Sequence, residues 1–134
     1  METLHHVHLF TVNMDNTLRF YQEMFGAKVI FDTEMAGTRN VLIAIGKGKI
    51  NFYDQPPRDP GRGKMHHLGI ETDDLTGLVQ HMEAKGFRFK KPIRDLETWK
   101  YVMAETPDGV LLELFEITSE AMNQPQFKGF SSLR

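Results

Sequence analysis

Histidines occur in the same local context at two places in this chain. One is Leu4-His5-His6-Val7-His8 and the other is Met65-His66-His67-Leu68-Gly69, and matching positions differ by 67 − 6 = 61 residues. A glutamate, Glu113, stands between two leucines in a later apolar segment. Imidazole nitrogens and carboxylate oxygens are common protein ligands of Zn, Ni, Mn and Fe(II). These residue types predict one divalent metal ion held by His6, His67 and Glu113.

The histidine context belongs to an internal repeat. Residues 18–26 (LRFYQEMFG) resemble residues 78–86 (LVQHMEAKG), and residues 50–53 (INFY) resemble residues 112–115 (LELF). The matching blocks keep their order, and their offsets are 60, 61 and 62 residues. A shared order and nearly constant offset indicate two copies of one unit of about 60 residues.

Each copy has the pattern of one helix and four short strands in the order βαβββ. Asn13 or Asp15 in the first copy, and Asp73 or Asp74 in the second, are suited to cap the helix N-terminus. The first copy predicts strands over 4–12, 27–34, 38–45 and 49–54 and a helix over 15–25. The second predicts strands over 65–72, 87–91, 99–105 and 110–117 and a helix over 75–85.

The predicted elements give an α+β fold with one helix against one face of each four-stranded sheet. A segment with three prolines and two glycines separates the copies, and such a composition is typical of a linker. The chain is thus divided into module one (4–54), linker (55–64), module two (65–117) and a C-terminal tail (118–134).

Strand alternation assigns the polar residues to the sheet face without a helix. His6, His8, His67 and Glu113 share that face, with Asn51 and Tyr53 from the first copy. A single histidine or glutamate on a strand is usually only solvated, but positions that repeat in both copies favour a site. His5 and His66 have the opposite parity and are expected to point away from the metal.

The same parity predicts a pocket for a small organic ligand. His8 is the candidate base because imidazole accepts and releases protons near neutral pH, with a plain wall position as the alternative. Arg39 is a candidate anchor for an anion, and an exposed strand-edge position is the alternative for both Arg39 and Tyr101. The predicted pocket residues are Phe10, Arg39, Asn51, Tyr53, Trp99, Tyr101, Met103 and Phe115.

Composition excludes several classes of function. The chain has 134 residues, a formal net charge of −2 and no cysteine, so neither a strongly basic nucleic-acid surface nor a disulfide framework is expected. The N-terminus lacks the pattern of a signal peptide, and no apolar run approaches the ~20 residues of a membrane span. We expect a cytoplasmic protein that binds a small molecule and neither nucleic acid nor membrane.

Three segments resemble the vicinal oxygen chelate superfamily, which includes glyoxalases, bleomycin-resistance proteins and extradiol dioxygenases. They are HxHLFTVNMDNTLRFYQEMFGAK from His6, HLGIETDD from His67, and TPDGVLLELFE from Thr106 to Glu116. The resemblance implies a cup-shaped eight-stranded sheet built from two βαβββ modules. It also implies four ligand positions, which fall on His6, Asn51, His67 and Glu113, and a homodimer whose metal sites take ligands from both chains.

The resemblance implies a metal-dependent enzyme that chelates a small oxygen-rich substrate. The favoured reaction is that of a lyase or isomerase of the glyoxalase and epimerase kind, with His8 and Glu113 as the groups that move protons. An Fe(II) or Mn(II) extradiol-type dioxygenase is the first alternative, although Met103 stands where that branch resembles a tyrosine. A binding or resistance protein without turnover is the second alternative.

Overall fold

A computed structural model gives the fold of the chain, which divides into two compact units, Met1–Gly61 and Arg62–Arg134. The structure describes residues 4–35, 37–59, 61 and 65–118. The boundary falls within the segment 55–64, of which residues 60 and 62–64 lie outside the described residues, as does the tail from residue 119 onward. Neither described helix is long and apolar enough to cross a membrane.

The first unit has the βαβββ order that the repeat predicts. Its elements are β1 (Val7–Thr11), α1 (Met14–Phe25), β2 (Lys28–Met35), β3 (Thr38–Ile45) and β4 (Gly48–Asp54). The strands form a mixed four-stranded sheet in the order β1-β4-β3-β2. Strands β1 and β4 are parallel, and the other two neighbouring pairs are antiparallel.

The second unit repeats this topology. Its elements are β5 (Leu68–Glu71), α2 (Leu75–Ala84), β6 (Arg94–Asp95), β7 (Trp99–Glu105) and β8 (Leu111–Ile117). The sheet order is β5-β8-β7-β6, again with a parallel pair between the first and last strands of the unit. The predicted α+β class and the eight strands are therefore confirmed, as two mixed sheets of four.

The strand predicted over residues 87–91 is wrong. The third element of the second unit is the two-residue strand β6, and residues 87–93 lie outside any strand. Pro92 has no backbone N–H to give to a ladder, and Phe87 and Phe89 pack on each other with ring centroids 4.7 Å apart. This segment therefore folds on itself beside β7 instead of extending the sheet.

Side-chain caps fix the start of each helix. The Asn13 side chain accepts a hydrogen bond from the Asn16 backbone N–H at 3.2 Å, and Asp74 accepts one from the Gly77 backbone N–H at 3.0 Å. Of the two candidates in each copy, Asn13 and Asp74 are thus the caps. Gly26 ends α1 at φ 65°, in the left-handed region that suits glycine.

Apolar side chains bury one face of each sheet against its helix. In the first unit Tyr21 of α1 packs on Phe52 of β4, with ring centroids 5.4 Å apart, and both side chains are fully buried. In the second unit Leu75 and Met82 of α2 are buried, as are Leu112 and Leu114 of β8. The aliphatic parity of the last strands therefore faces the helix, as predicted, and the opposite face carries the polar residues.

The predicted register of β3 is wrong by one residue. Leu42, not Val41, lies opposite Asn51, so Leu42 rather than Val41 is the structural equivalent of Met103, which lies opposite Glu113. A shift of one residue moves every side chain to the other sheet face. Arg39 therefore lies on the helix side, where it binds Asp15 of α1 and Asp32 of β2 at 3.0 and 2.8 Å.

Arg39 ties the helix to the outer strands and cannot serve as an anion anchor on the open face. Its hydrogen bonds to the Asp32 carboxylate hold the pKa of Asp32 below its usual value. The same contacts, with Asp15 in addition, raise the pKa of Arg39. The pairs are partly exposed, so their net contribution to stability is small.

We expect Arg39→Gln to lower the free energy of unfolding by less than about 1 kcal/mol at pH 7. Because the pKa of Asp32 is lowered by folding, the contribution of this pair is complete above the unfolded value near 4 and is lost as pH falls through the folded pKa. The difference between wild type and variant in urea unfolding should therefore shrink below about pH 4.

Arg19→Gln is the matched control, since Arg19 is an exposed arginine of α1 with no ion pair to the described residues. Equal losses in the Arg39 and Arg19 variants, or a loss at Arg39 that stays constant down to pH 3, would contradict this role.

Candidate metal and substrate site

The helix-free face of the second sheet carries the predicted glutamate. Glu113 of β8 lies between Met103 of β7 and Gly69 of β5 in the ladder. Residues directly opposite share a face, so the predicted parity of this sheet holds. The aromatic residues predicted for this face follow the same register, with Tyr101 opposite Phe115 and the Trp99 and Phe115 ring centroids 5.5 Å apart.

His67 and Glu113 form a close pair at this face. His67 directly precedes β5, and its Nε2 lies 3.9 Å from Oε1 of Glu113, with the side chains 35% and 16% exposed. Zinc binds histidine nitrogen and carboxylate oxygen at about 2.0–2.2 Å, which brings two adjacent ligand atoms to about 3.0–3.4 Å at tetrahedral or octahedral angles. The pair fits such an ion after the two atoms approach by about half an ångström, a change within the reach of side-chain rotation.

A second histidine supports each predicted histidine ligand. His66 Nδ1 lies 2.8 Å from His67 Nδ1, and His5 Nδ1 lies 3.0 Å from His6 Nδ1. In each pair one Nδ1 must donate and the other accept. If His67 or His6 donates, its Nε2 keeps the lone pair that a metal needs, and the neighbouring histidine holds the ring in place.

The structure brings His67 and Glu113 together but does not collect a complete ligand set. His6 belongs to the first unit, where it is exposed just before β1. Among the residues that the structure describes, no three His, Cys, Asp or Glu side chains converge on one point.

The open face of the first sheet carries a chain of neutral polar groups instead. His8 Nδ1 lies 3.1 Å from Asn51 Oδ1, and Asn51 Nδ2 lies 2.6 Å from Asn40 Oδ1. The Tyr53 and Phe10 rings flank the His8 ring edge to face, with centroids 3.9 and 4.9 Å from it. Asn51, predicted to line the pocket, thus has its carbonyl oxygen directed at His8.

Asn40 is the residue that sequence reasoning missed. It is buried, and its backbone position is opposite Tyr53 on the open face. An offset of 61 in β3, equal to that of the histidine block, would have placed it at the position of Tyr101 and identified it. The offset of 62 taken from the last strand placed Arg39 there instead.

A cavity of about 700 Å³ lies beside β7. Strand β6 pairs only with Lys100 and Tyr101, so residues 102–105 have no strand on their outer side among the described residues. The loop over 87–93 runs past this edge and leaves the space open. Its lining combines Tyr101, Met103 and Leu111 with the cationic side chains Arg88, Lys90, Lys91 and Arg94.

Comparison with known proteins establishes the family. The profile of the Glyoxalase/Bleomycin resistance protein/Dioxygenase superfamily matches residues 3–114. This chain belongs to that superfamily. Members of the superfamily share the fold over a wide range of sequence: the FosX fosfomycin resistance protein of Listeria monocytogenes, solved with Mn(II) and 1S,2S-dihydroxypropylphosphonic acid, has a TM-score of 0.74 at 19% identity, over 92% of this chain and 99% of that one.

Two curated members of the superfamily indicate the range of its reactions. A probable chloroplastic lactoylglutathione lyase of Arabidopsis thaliana is 30% identical over 115 residues, which is 78% of this chain and 33% of the plant protein. The mitochondrial methylmalonyl-CoA epimerase of Dictyostelium discoideum is 26% identical over 129 residues, covering 84% of this chain and 77% of the relative. The chain therefore spans only about a third of the length of the plant lyase that it matches.

Proposed function

We propose that this superfamily member is a divalent-metal-dependent enzyme that acts on a small oxygen-rich organic molecule as a lyase or isomerase. The observation that carries the proposal is the His67–Glu113 pair, in which an imidazole nitrogen and a carboxylate oxygen lie 3.9 Å apart on a helix-free sheet face. The lyase and the epimerase among its relatives support the reaction type. His6 enters as the third ligand because it is the repeat equivalent of His67.

A divalent ion held by these residues acts, when bound, as a Lewis acid toward two neighbouring oxygens of the substrate. The side chains of the chain supply orientation and proton transfer. His8 is the proposed carrier of the proton, and Glu113 is both a ligand and a second candidate base. Phe10 and Tyr53 fix the His8 ring between them, so the nitrogen that meets the substrate keeps one direction.

The cavity beside β7 supports a substrate with an anionic group. Tyr101, Met103 and Leu111 in its wall belong to the same sheet face as Glu113, so the cavity borders the proposed ligand pair. Arg88, Lys90, Lys91 and Arg94 surround it with positive charge, and Glu105 offsets part of that charge through a 3.8 Å contact with Lys90. A carboxylate or phosphate group would meet favourable charge there.

The proposal includes a homodimer in which His6 of one chain and His67 and Glu113 of the other bind the same ion. It rests on the repeat and on the proline-rich segment between the copies, because an extended proline-rich chain spans about 3 Å per residue and can hold two modules apart.

The first test is metal binding. Purified protein should bind Zn, Ni, Mn or Fe(II) at one ion per site, and His67→Ala or Glu113→Gln should reduce the affinity at least tenfold in a calorimetric titration, since a lost ligand leaves only two. His66→Ala is the matched control and should lose less, because His66 acts only through His67. Full binding in His67→Ala, with loss in His66→Ala, would reverse the ligand assignment.

The second test concerns the reaction. Metal-loaded protein should exchange a substrate C–H proton with solvent deuterium when lactoylglutathione or methylmalonyl-CoA is offered, as followed by mass spectrometry. His8→Gln should slow this exchange by ~10²–10⁴-fold while leaving metal content unchanged. Oxygen consumption that depends on Fe(II) or Mn(II) would favour the dioxygenase instead, and tight ligand binding by metal-free protein without turnover would favour a binding protein.

The third test concerns assembly. A verified heterodimer of His6→Ala and Glu113→Ala chains should regain metal at half of its sites, because one site then contains all three ligands and the other lacks two. Each variant homodimer is the control and should stay depleted. A monomer in sedimentation, or heterodimers without recovered metal, would contradict shared sites.

A further inference from the structure

The polar chain across the first sheet has a definite direction. Asn51 Nδ2 lies 3.3 Å from the backbone carbonyl oxygen of Val41 and 2.6 Å from Oδ1 of Asn40. A backbone carbonyl oxygen can only accept a hydrogen bond, so the Asn51 atom that faces it must be the NH₂ group. The reversed amide would place its oxygen against two other oxygens. Burial strengthens this preference, because Asn40 and Asn51 are only 3% and 7% exposed.

The direction of the amide determines which nitrogen of His8 carries the proton. With its NH₂ group on Val41 and Asn40, Asn51 presents Oδ1 to His8 Nδ1 at 3.1 Å. An amide oxygen only accepts, so Nδ1 of His8 must donate and must carry the hydrogen. The neutral ring then has its lone pair on Nε2. In water, neutral histidine favours the opposite tautomer, with the proton on Nε2.

We propose that Asn40 and Asn51 are positioning residues that hold neutral His8 as the Nδ1–H tautomer, so that Nε2 presents a hydrogen-bond acceptor to the ligand. The structural part of this inference stands on the hydrogen bonds alone, and its meaning for the substrate rests on the proposed function. A hydroxyl or another O–H or N–H donor satisfies that acceptor. A bare carbonyl oxygen at the same place would face a lone pair, and sites built around one hydrogen bond reject ligands that cannot make it.

The second unit does not repeat this arrangement. Gly69 occupies the ladder position opposite Glu113, as His8 does opposite Asn51. A Cβ at Gly69 would lie 3.3 Å from the Phe115 ring, so that position leaves little room for a larger side chain. The first sheet thus contributes a directed neutral acceptor, and the second contributes the anionic ligand.

The test is the tautomer itself, measured by long-range ¹H–¹⁵N NMR on full-length protein labelled with ¹⁵N-histidine. The spectrum is recorded at a pH where the neutral ring is populated, and the His8 signals are assigned by their loss in His8→Gln. Wild-type His8 should show a protonated Nδ1 and an unprotonated Nε2. The Nε2–H pattern in the wild type overturns the proposal without any variant.

Variants separate positioning from general packing. Asn51→Leu removes the acceptor and should move His8 toward the Nε2–H form, whereas Asn51→Asp keeps an oxygen acceptor and should retain Nδ1–H. Asn16→Ala, an asparagine replacement on α1, is the matched control and should leave His8 unchanged. An unchanged His8 in a folded Asn51→Leu protein would overturn the role of Asn51. Because none of these measurements needs turnover, the tautomer can be established even if the proposed reaction is not found, and the reverse also holds.

Discussion

Parallel pairing between the first and last strands of each unit is the constraint on which the candidate site depends. Residues far apart in sequence meet in the two central strands, as His8 and Asn51 do across 43 positions. A parallel pair requires a long crossover connection, and each unit supplies it with a helix followed by an antiparallel pair of strands. The helix covers one face of the sheet it crosses, which leaves the facing polar side chains on the other.

Much of this arrangement follows from the sequence because period-two alternation and a repeat are strong signals. The order βαβββ, the helix caps and the face of Glu113 needed only residue types and spacing. The register of β3 did not follow, because Asn40 and Arg39 are both polar and only the pairing with β4 decides which of them turns toward Asn51. Strand β6 failed for a related reason: local residues 87–91 permit a strand, but pairing with β7 decides whether one forms.

The close histidine pairs show another limit of sequence reasoning. Strict alternation places His5 and His66 opposite their neighbours, yet both lie outside the strands, just before β1 and β5. Alternation has no force there, so His66 turns toward His67 and makes a contact that parity excludes. The two units also differ in charge at equivalent ladder positions, with a neutral amide at Asn51 and a carboxylate at Glu113. A repeat can therefore preserve backbone geometry while its polar side chains take on separate tasks.

The short strand β6 has a consequence for the behaviour of the protein at high concentration. Outer backbone groups of β7 over residues 102–105 have no strand partner among the described residues, and an unpaired edge is a template for strands of other molecules. Cations stand beside it, with the Lys90 side chain 88% exposed. Like charges on approaching molecules repel over a screening length of about 10 Å at 0.1 M salt but only about 3 Å at 1 M. Ionic strength therefore governs colloidal stability at this edge, and dilute buffer is the condition that keeps the molecules apart.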